Sequence, residues 1–342
     1  MTASNAVDAS ASPQHEGKAR FGVVAIGRNE GERLRSCLAS VARSAQHVIY
    51  VDSGSTDTSV QMAHDFEAQV VPLDMSVPFT AARARNAGWR RLLEADPALA
   101  YVQFVDGDCE VRSGWLETAS AFLDAHDEVA AVAGRNRERF PNGSVYNLLC
   151  EIEWGSGVAG PARACGGNAM IRLAALRQSR GFRESLIAGE EPELCVRMRA
   201  AGWRIWRLDA EMTLHDAAMT RFGQWWKRSM RTGFSYAEGS RLHGAPPERL
   251  WVREARSAWL WGLWIPLMLL LAAALCGPLA FLGFLLYPLQ VFRLFFHTAG
   301  APRSRLARAT FLVLGKFAEA AGQLKYLAQR LAGTQSRLIE YK

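Results

Sequence analysis

The stretch that decides the fold is "FVDGDCEV", residues 104–111. Phe104 and Val105 belong to an apolar run, "YVQFVD" (101–106), and then two carboxylates arrive with only Gly107 between them. Residues two apart on a strand share a face, so Asp106 and Asp108 can approach one object together. Like charges this close need something positive nearby. A hard divalent cation suits the pair, because Mg²⁺ or Mn²⁺ binds through one or two carboxylates plus substrate phosphates. Gly107 lets such a ligand come close to the backbone. An Asp-Gly turn accounts for the same letters, so the motif alone leaves both readings open.

Upstream the same kind of run recurs. "FGVVAI" (21–26), "HVIYVD" (47–52) and "AQVVPL" (68–73) each fit a strand buried on both faces. Helical patterns lie between them, over Glu30 to Ala45, Thr58 to Glu67 and Thr80 to Glu94. This alternation predicts an α/β fold: a Rossmann-like, mostly parallel sheet with flanking helices. Ligands in such sheets sit beyond the carboxyl ends of the strands. Asp52 ends the second candidate strand and Asp106 the fourth, so both point at one crevice. Neither G-x-G-x-x-G after the first strand nor G-x-x-x-x-G-K-[ST] is present.

Three further motifs carry chemistry. In "VDSGSTDTS" (51–59), Thr56 or Asp57 caps a helix, which leaves Asp52 unexplained. "CGGNAMIR" (165–172) offers Gly166 and Gly167 for close approach to a ligand. In "GEEPELCVRMRAAGWRI" (189–205), Pro192 reads as the first helical residue and Gly202 as the residue past the end. Glu190 and Glu191 then stand just before a helix N-terminus, where the dipole favours acid; that explains one acid better than two. Glu193 faces Arg197 as an i,i+4 pair. Beyond it, "WRIWRL" (203–208) reads as a strand and residues 221–238 as a basic, aromatic helix.

In order and content these motifs resemble the inverting family 2 glycosyltransferases of GT-A fold, over roughly residues 20 to 240, and in particular their membrane-associated bacterial type. "VVAIGRNEGERLRSCLASV" looks like the family's first strand and helix start, "VDSGSTDTS" its second-strand motif and "ARARNAGW" its Ala-Arg-Asn helix. "VDGD" looks like its metal motif, "GGNAMIR" the loop under the donor sugar, and "GEEPELCVRMRAAGW" the acidic motif bearing the base. The resemblance implies a nucleotide-sugar donor (UDP- or GDP-sugar) and Mn²⁺ or Mg²⁺. It implies that Asp52 holds the base or ribose with Arg28 and Glu30 nearby, that Asp106 contacts ribose or metal, and that Asp108 ligates the cation. Gly166, Gly167 and Asn168 would lie under the sugar, Arg85 or Arg83 would add positive charge, and His215 would return to the metal. The second acid of the family's motif is typically Asp; here it is Glu191, one methylene longer, and it is favoured over Glu190 as the base.

The chain has 342 residues and a net charge of +7. Residues 257–292 contain no Lys, Arg, Asp or Glu, nearly enough for two spans of roughly 20 residues. Gly277-Pro278 marks a turn near the middle, and Trp251, Trp259, Trp261 and Trp264 gather at the start as an interfacial belt. Arg249, Arg253 and Arg256 precede the run; Arg293, Arg303, Arg305 and Arg308 follow it. Basic flanks on both sides predict a hairpin in the inner (cytoplasmic) membrane with the catalytic domain cytoplasmic. Anionic lipid is then a better partner than nucleic acid, for which no binding signature is present. The expected organisation is a disordered tail (1–19), a catalytic domain (20–240) and a membrane-associated region (241–342), with the hairpin at 257–292 and an amphipathic helix at 304–331. Six cysteines without paired spacing point to a reducing compartment.

The reaction expected is transfer of a sugar to a hydroxyl of a lipid-linked or glycan acceptor, with inversion. A sugar-phosphate nucleotidyltransferase would want a Gly-rich basic loop after the first strand, where this chain has Gly27-Arg28-Asn29-Glu30. An inactive membrane scaffold would have no need of Asp108, Glu190 and Glu191.

Overall fold

The computed structural model describes residues 20–334 and 339–340; the tail expected at 1–19 lies outside the described residues. Strand β1 (Phe21–Gly27) is buried almost throughout, and α1 (Glu32–Val41) leads to β2 (Val48–Asp52). Next come α2 (Ser59–Asp65), β3 (Gln69–Pro72), α3 (Ala81–Ala95) and β4 (Tyr101–Asp106). These four strands run parallel in the order β3-β2-β1-β4. β1, β2 and β4 are mostly apolar on both faces because helices cover both faces, while β3, at the edge, is only half-buried.

Beyond β4 the sheet is mixed. The chain continues through β5 (Cys109–Val111), α4 (Trp115–Ala125), β6 (Val129–Glu138), α5 (Val145–Gly155) and β7 (Gly160–Ala162). Then follow β8 (Ala169–Arg172), α6 (Leu173–Gln178), α7 (Glu190–Ala200) and β9 (Arg204–His215). β8 runs antiparallel between β4 and β6, β9 lies parallel to β6, and β5 and β7 both pair antiparallel with β9. β5, β7 and β8, of three or four residues and outside the strand–helix alternation, carry too little periodicity to be read in advance. The strand expected at 203–208 is the first half of β9, whose register against β6 shifts three times. Those irregularities break the alternation that would have revealed its length.

α8 (Phe222–His243) leads into α9 (Val252–Trp259), a π-helical turn (260–264) and α10 (Ile265–Cys276). After Gly277, a 3₁₀ stretch (278–285) and α11 (Leu286–His297) bring the chain back, and α12 (Pro302–Leu331) follows. The helical stretches Val252–Cys276 and Pro278–His297 are long and apolar enough to cross a bilayer, with mean hydropathies of 2.0 and 1.7, and their apolar windows are not buried. α12 presses a face of small residues onto α8. A methyl group at Gly322 would overlap the Met230 carbonyl, and one at Gly233 would overlap the Glu319 backbone. Gln323 Nε2 donates to the Ala255 carbonyl at 3.1 Å, and the Phe234 and Tyr326 rings meet edge-on at 5.2 Å. The boundary drawn at residue 240 therefore falls inside α8, and α12 packs against the helix that in turn meets α7. The other side of α12 exposes Leu306, Leu312, Leu324 and Leu327.

Candidate active site

The parallel register sets Ile26 beside Asp106 and Gly27 beside Asp52, so the ends of β1, β2 and β4 lie level. A cavity of about 600 Å³ opens there. It is lined by the β1–α1 turn, by Asp106, Gly107 and Asp108, and by Arg85 of α3. Glu190 and Glu191 at the start of α7 and His215 at the end of β9 complete this part of the wall.

The two aspartates share the cavity for a different reason from strand alternation. β4 ends at Asp106, Gly107 turns the chain with its N–H donating to the Ile26 carbonyl at 2.8 Å, and β5 starts at Cys109. Gly107 is closed in by the chain itself: a methyl group there would lie 3.2 Å from both Glu30 Cγ and the Ile26 carbonyl oxygen. Each carboxylate has its own partner. Arg85, 2% exposed, donates from Nη2 to Asp106 Oδ1 at 2.9 Å, while Asp108 Oδ2 lies 3.1 Å from His215 Nε2.

Arg85 also gathers the acids. Its Nη1 donates to Glu190 Oε1 at 2.7 Å and lies 2.9 Å from Glu191 Oε1. One guanidinium thus serves three carboxylates and leaves the cluster short of positive charge. Burial, reinforced by the neighbouring Glu190, pushes the Glu191 carboxyl up to about 7 against the opposing pull of Arg85. Glu190 and Glu191 belong to α7 itself, whose N-cap is Gly189 at φ 80. Pro192 is therefore the third helical residue, still within the first turn, where its missing N–H has no helical acceptor. Glu193 and Arg197 form the i,i+4 pair at 2.7 Å.

Gly167 packs directly on this cluster: a methyl group there would lie 2.5 Å from Arg85 Nη2 and 2.9 Å from Glu191 Oε1. A methyl group at Gly166 would meet only Asn136 Nδ2, at 4.0 Å. Asn168 is buried behind the aspartates, accepting from the Asp106 N–H at 2.8 Å and donating to Cys109 Sγ at 3.2 Å. Asp52 is also a buttress. Its Oδ2 accepts the N–H groups of Gly54 and Ser55, both at 3.0 Å, and its Oδ1 the Tyr50 hydroxyl at 3.3 Å, outside the cavity lining. Arg28 lines the cavity and pairs with Glu340 at 3.3 Å; Glu30 pairs with Arg33 at 2.8 Å. Arg83 is turned away, donating to the carbonyls of Asp74, Val77 and Pro78.

The donor set fits a divalent cation. β5 pairs with the end of β9 so that Cys109 is the register partner of His215, which brings the imidazole to Asp108. His215 Nε2 is buried and, despite the 3.1 Å approach to Asp108, makes no hydrogen bond. Burial holds its imidazole below the ordinary value, so the ring is a neutral donor at physiological pH. Trp154 stacks on the ring at 4.3 Å and 9°. Cys109 lies within reach of both, but burial pushes its thiol well up, leaving it a protonated, poor ligand.

Several lining residues escaped the sequence reading: Asn29, Arg33, Phe79, Gly189 and Arg231. Arg231 belongs to the basic, aromatic helix noted at 221–238, whose charges alone gave it no role. Asn29, at φ 56, accepts the Thr56 N–H at 2.7 Å and ties the β1–α1 turn to the β2–α2 loop.

Residues 23–179 match the model of the family described as Glycosyl transferase family 2. Glycosyltransferase AglE of Haloferax volcanii is 25% identical over 217 residues, covering 60% of this chain and 69% of that protein. Among solved structures, mannosyltransferase PcManGT from Pyrobaculum calidifontis, in complex with GDP-Man and Mn²⁺, superposes with a TM-score of 0.58. That match has 17% identity and covers 92% of this chain and 89% of that one. S. aureus TarS 1–349 superposes with a TM-score of 0.50 at 16% identity, covering 92% of each chain, whereas this chain spans 43% of a longer TarS structure. The mixed sheet is that of the GT-A glycosyltransferases. The chain thus carries a glycosyltransferase family 2 domain at residues 23–179, and with this fold around it the protein is a glycosyltransferase.

Proposed function

We propose that this protein transfers a sugar from a nucleotide-sugar donor to an acceptor hydroxyl by metal-dependent single displacement, with inversion at the anomeric carbon. One observation carries the reading: a largely enclosed carboxyl held at about 7, Glu191, lines the same cavity as the Asp108–His215 pair. A general base works best when its pKa lies near the operating pH. Glu190 is more firmly tied to Arg85, so Glu191 is the group that accepts the proton of the acceptor hydroxyl, on a carboxylate oxygen. Arg85 holds both glutamates and Asp106 in one geometry, which fixes the base relative to the donor.

Asp108 and His215 would hold the cation, Mn²⁺ suiting a site with imidazole better than Mg²⁺ does. Such a cation neutralises charge on a departing diphosphate. The turn bearing Arg28 and Arg33 lines the same cavity and would meet the nucleotide end of the donor, and PcManGT, which holds GDP-Man and Mn²⁺, supports a nucleotide-sugar donor. Direct attack on the face opposite the leaving group inverts the centre and needs no covalent sugar–enzyme intermediate.

The two apolar helical stretches, with arginines at both outer ends, support a hairpin entering the bilayer from the cytoplasmic side. A membrane-held cavity suits a lipid-linked or glycan acceptor. Calorimetry with UDP-glucose and GDP-mannose, each with and without Mn²⁺, tests the core of the reading. The expected result is binding of one of them that requires metal and disappears in Asp108→Ala; metal-independent binding in both proteins refutes it. Proton NMR of the transferred sugar then reports inversion or retention.

A further inference from the structure

The segment joining α8 to the apolar hairpin is fastened to the acid-bearing helix α7 at three points. His243 Nε2, in the last turn of α8, lies 3.1 Å from Glu193 Oε1. Glu248 accepts from Arg199 in the last turn of α7 and, at 3.0 Å, from Arg163, two residues before Cys165 and the Gly-Gly loop. Trp251, the N-cap of α9, lays its ring on Gly189, the N-cap of α7: a methyl group at Gly189 would lie 2.5 Å from Trp251 Cη2. The same ring covers Gly239 of α8 and meets Tyr236 at 5.6 Å. Trp251 adopts a left-handed φ of 53, a conformation a bulky residue keeps only when its surroundings hold it there.

From this geometry we infer that Trp251 is a positioning residue for the catalytic acids. It sits at the root of the hairpin and pins the Gly189 cap, and so fixes Glu190 and Glu191 against Arg85. Gly189 is needed on its side of the contact for two reasons. Its φ of 80 suits glycine, and any side chain there would displace the ring. Glu190 and Glu191 follow directly in the chain, so a shift of the cap is a shift of the acids. Seating of the hairpin is thereby coupled to assembly of the site. The inference rests on the reading of Glu191 as the base.

The test uses the full chain in phosphatidylglycerol-containing nanodiscs, with Trp251→Ala, Trp251→Phe and Glu191→Gln. In Trp251→Ala, hydrogen exchange at residues 189–193 is expected to rise by about tenfold or more, with β1 and β4 unchanged. Turnover of UDP-glucose or GDP-mannose should fall on the order of 10²-fold at unaltered KM, the effect of misplacing a reacting group by about 1 Å. Trp251→Phe keeps an aromatic ring in the same slot, without the outermost indole atoms that meet Gly189, and should recover part of both. Unchanged exchange at 189–193 in Trp251→Ala overturns the proposal. Equal loosening of β1 and β4, or a phenylalanine variant no better than alanine, overturns it as well, by making Trp251 a general stabiliser. An active Glu191→Gln removes the base assignment instead, and the exchange measurement tells the two failures apart.

Discussion

Replacing Glu191 by Gln separates what this carboxyl does for chemistry from what it does to the fold. Its folded value is raised from 4.5 to about 7, first by burial and then by Glu190. The fold therefore favours the protonated form. Relative to the unfolded chain, Glu191 is well tolerated below about 4.5, and that advantage is lost as pH rises through about 7. At about 1.4 kcal/mol per tenfold change in the proton equilibrium, ionising it inside the fold costs on the order of 3 kcal/mol. Glutamine mimics the protonated form at every pH, and its carbonyl oxygen can keep the place of Oε1, 2.9 Å from Arg85 Nη1. The variant should thus be more stable than the parent at pH 8, by up to that amount, and equal to it at pH 4.5. Turnover should meanwhile fall by roughly 10²-fold or more while donor binding survives. Thermal unfolding in detergent at the two pH values, with calorimetry and a turnover assay, measures all three. Loss of stability at pH 8, an equal gain at both pH values, or retained turnover would refute the reasoning.

Other consequences follow from the same geometry. Parent turnover should climb with pH through about 7 as Glu191 ionises, and a flat profile from pH 6 to 8 would speak against it as the base. His215→Ala should weaken Mn²⁺-dependent nucleotide-sugar binding by at least the roughly 10–100-fold that loss of a metal's outer-shell partner brings; titration of Mn²⁺ by calorimetry checks it. Arg85→Met leaves three acids without their cation and should destabilise by about 3–5 kcal/mol, as for breaking a buried pair, whereas Arg85→Lys should fold with reduced turnover. Gly322→Leu forces α12 off α8 and should lower stability by about 1–3 kcal/mol in denaturant unfolding. For the same reason, a chain ended at Glu248 should aggregate instead of giving a soluble catalytic domain, because α8 then loses the cover of α12; a monodisperse soluble product would contradict this.

The sequence by itself determined the parallel half of the fold and the acids that line the cavity. Doubly buried strands must be continuously apolar, and the alternation with helices admits few topologies, so β1 to β4 could be read directly. Asp106, Asp108, Glu190 and Glu191 were legible because paired carboxylates at strand and helix ends are unfavourable without a function. Only the tertiary structure decided what each one faces. Arg85 looked like one of two helix arginines until packing buried it among three acids and turned Arg83 outward. His215 reached Asp108 only through the short antiparallel pairing of β5 with β9, whose few residues hold no readable period. Asp52 and Asn168 each accept backbone N–H groups beside the cavity, a use that depends on local geometry and not on residue type. The deepest difference lies at residue 240. The motifs end near there and the charge-free run begins at residue 257, so a boundary between them follows naturally from the linear pattern. Gly233 and Gly322 nevertheless bring α8 and α12 into backbone contact, and Trp251 ties the hairpin root to the acids. Close packing between distant segments is a property of shapes meeting, and a linear pattern of hydropathy carries no record of it.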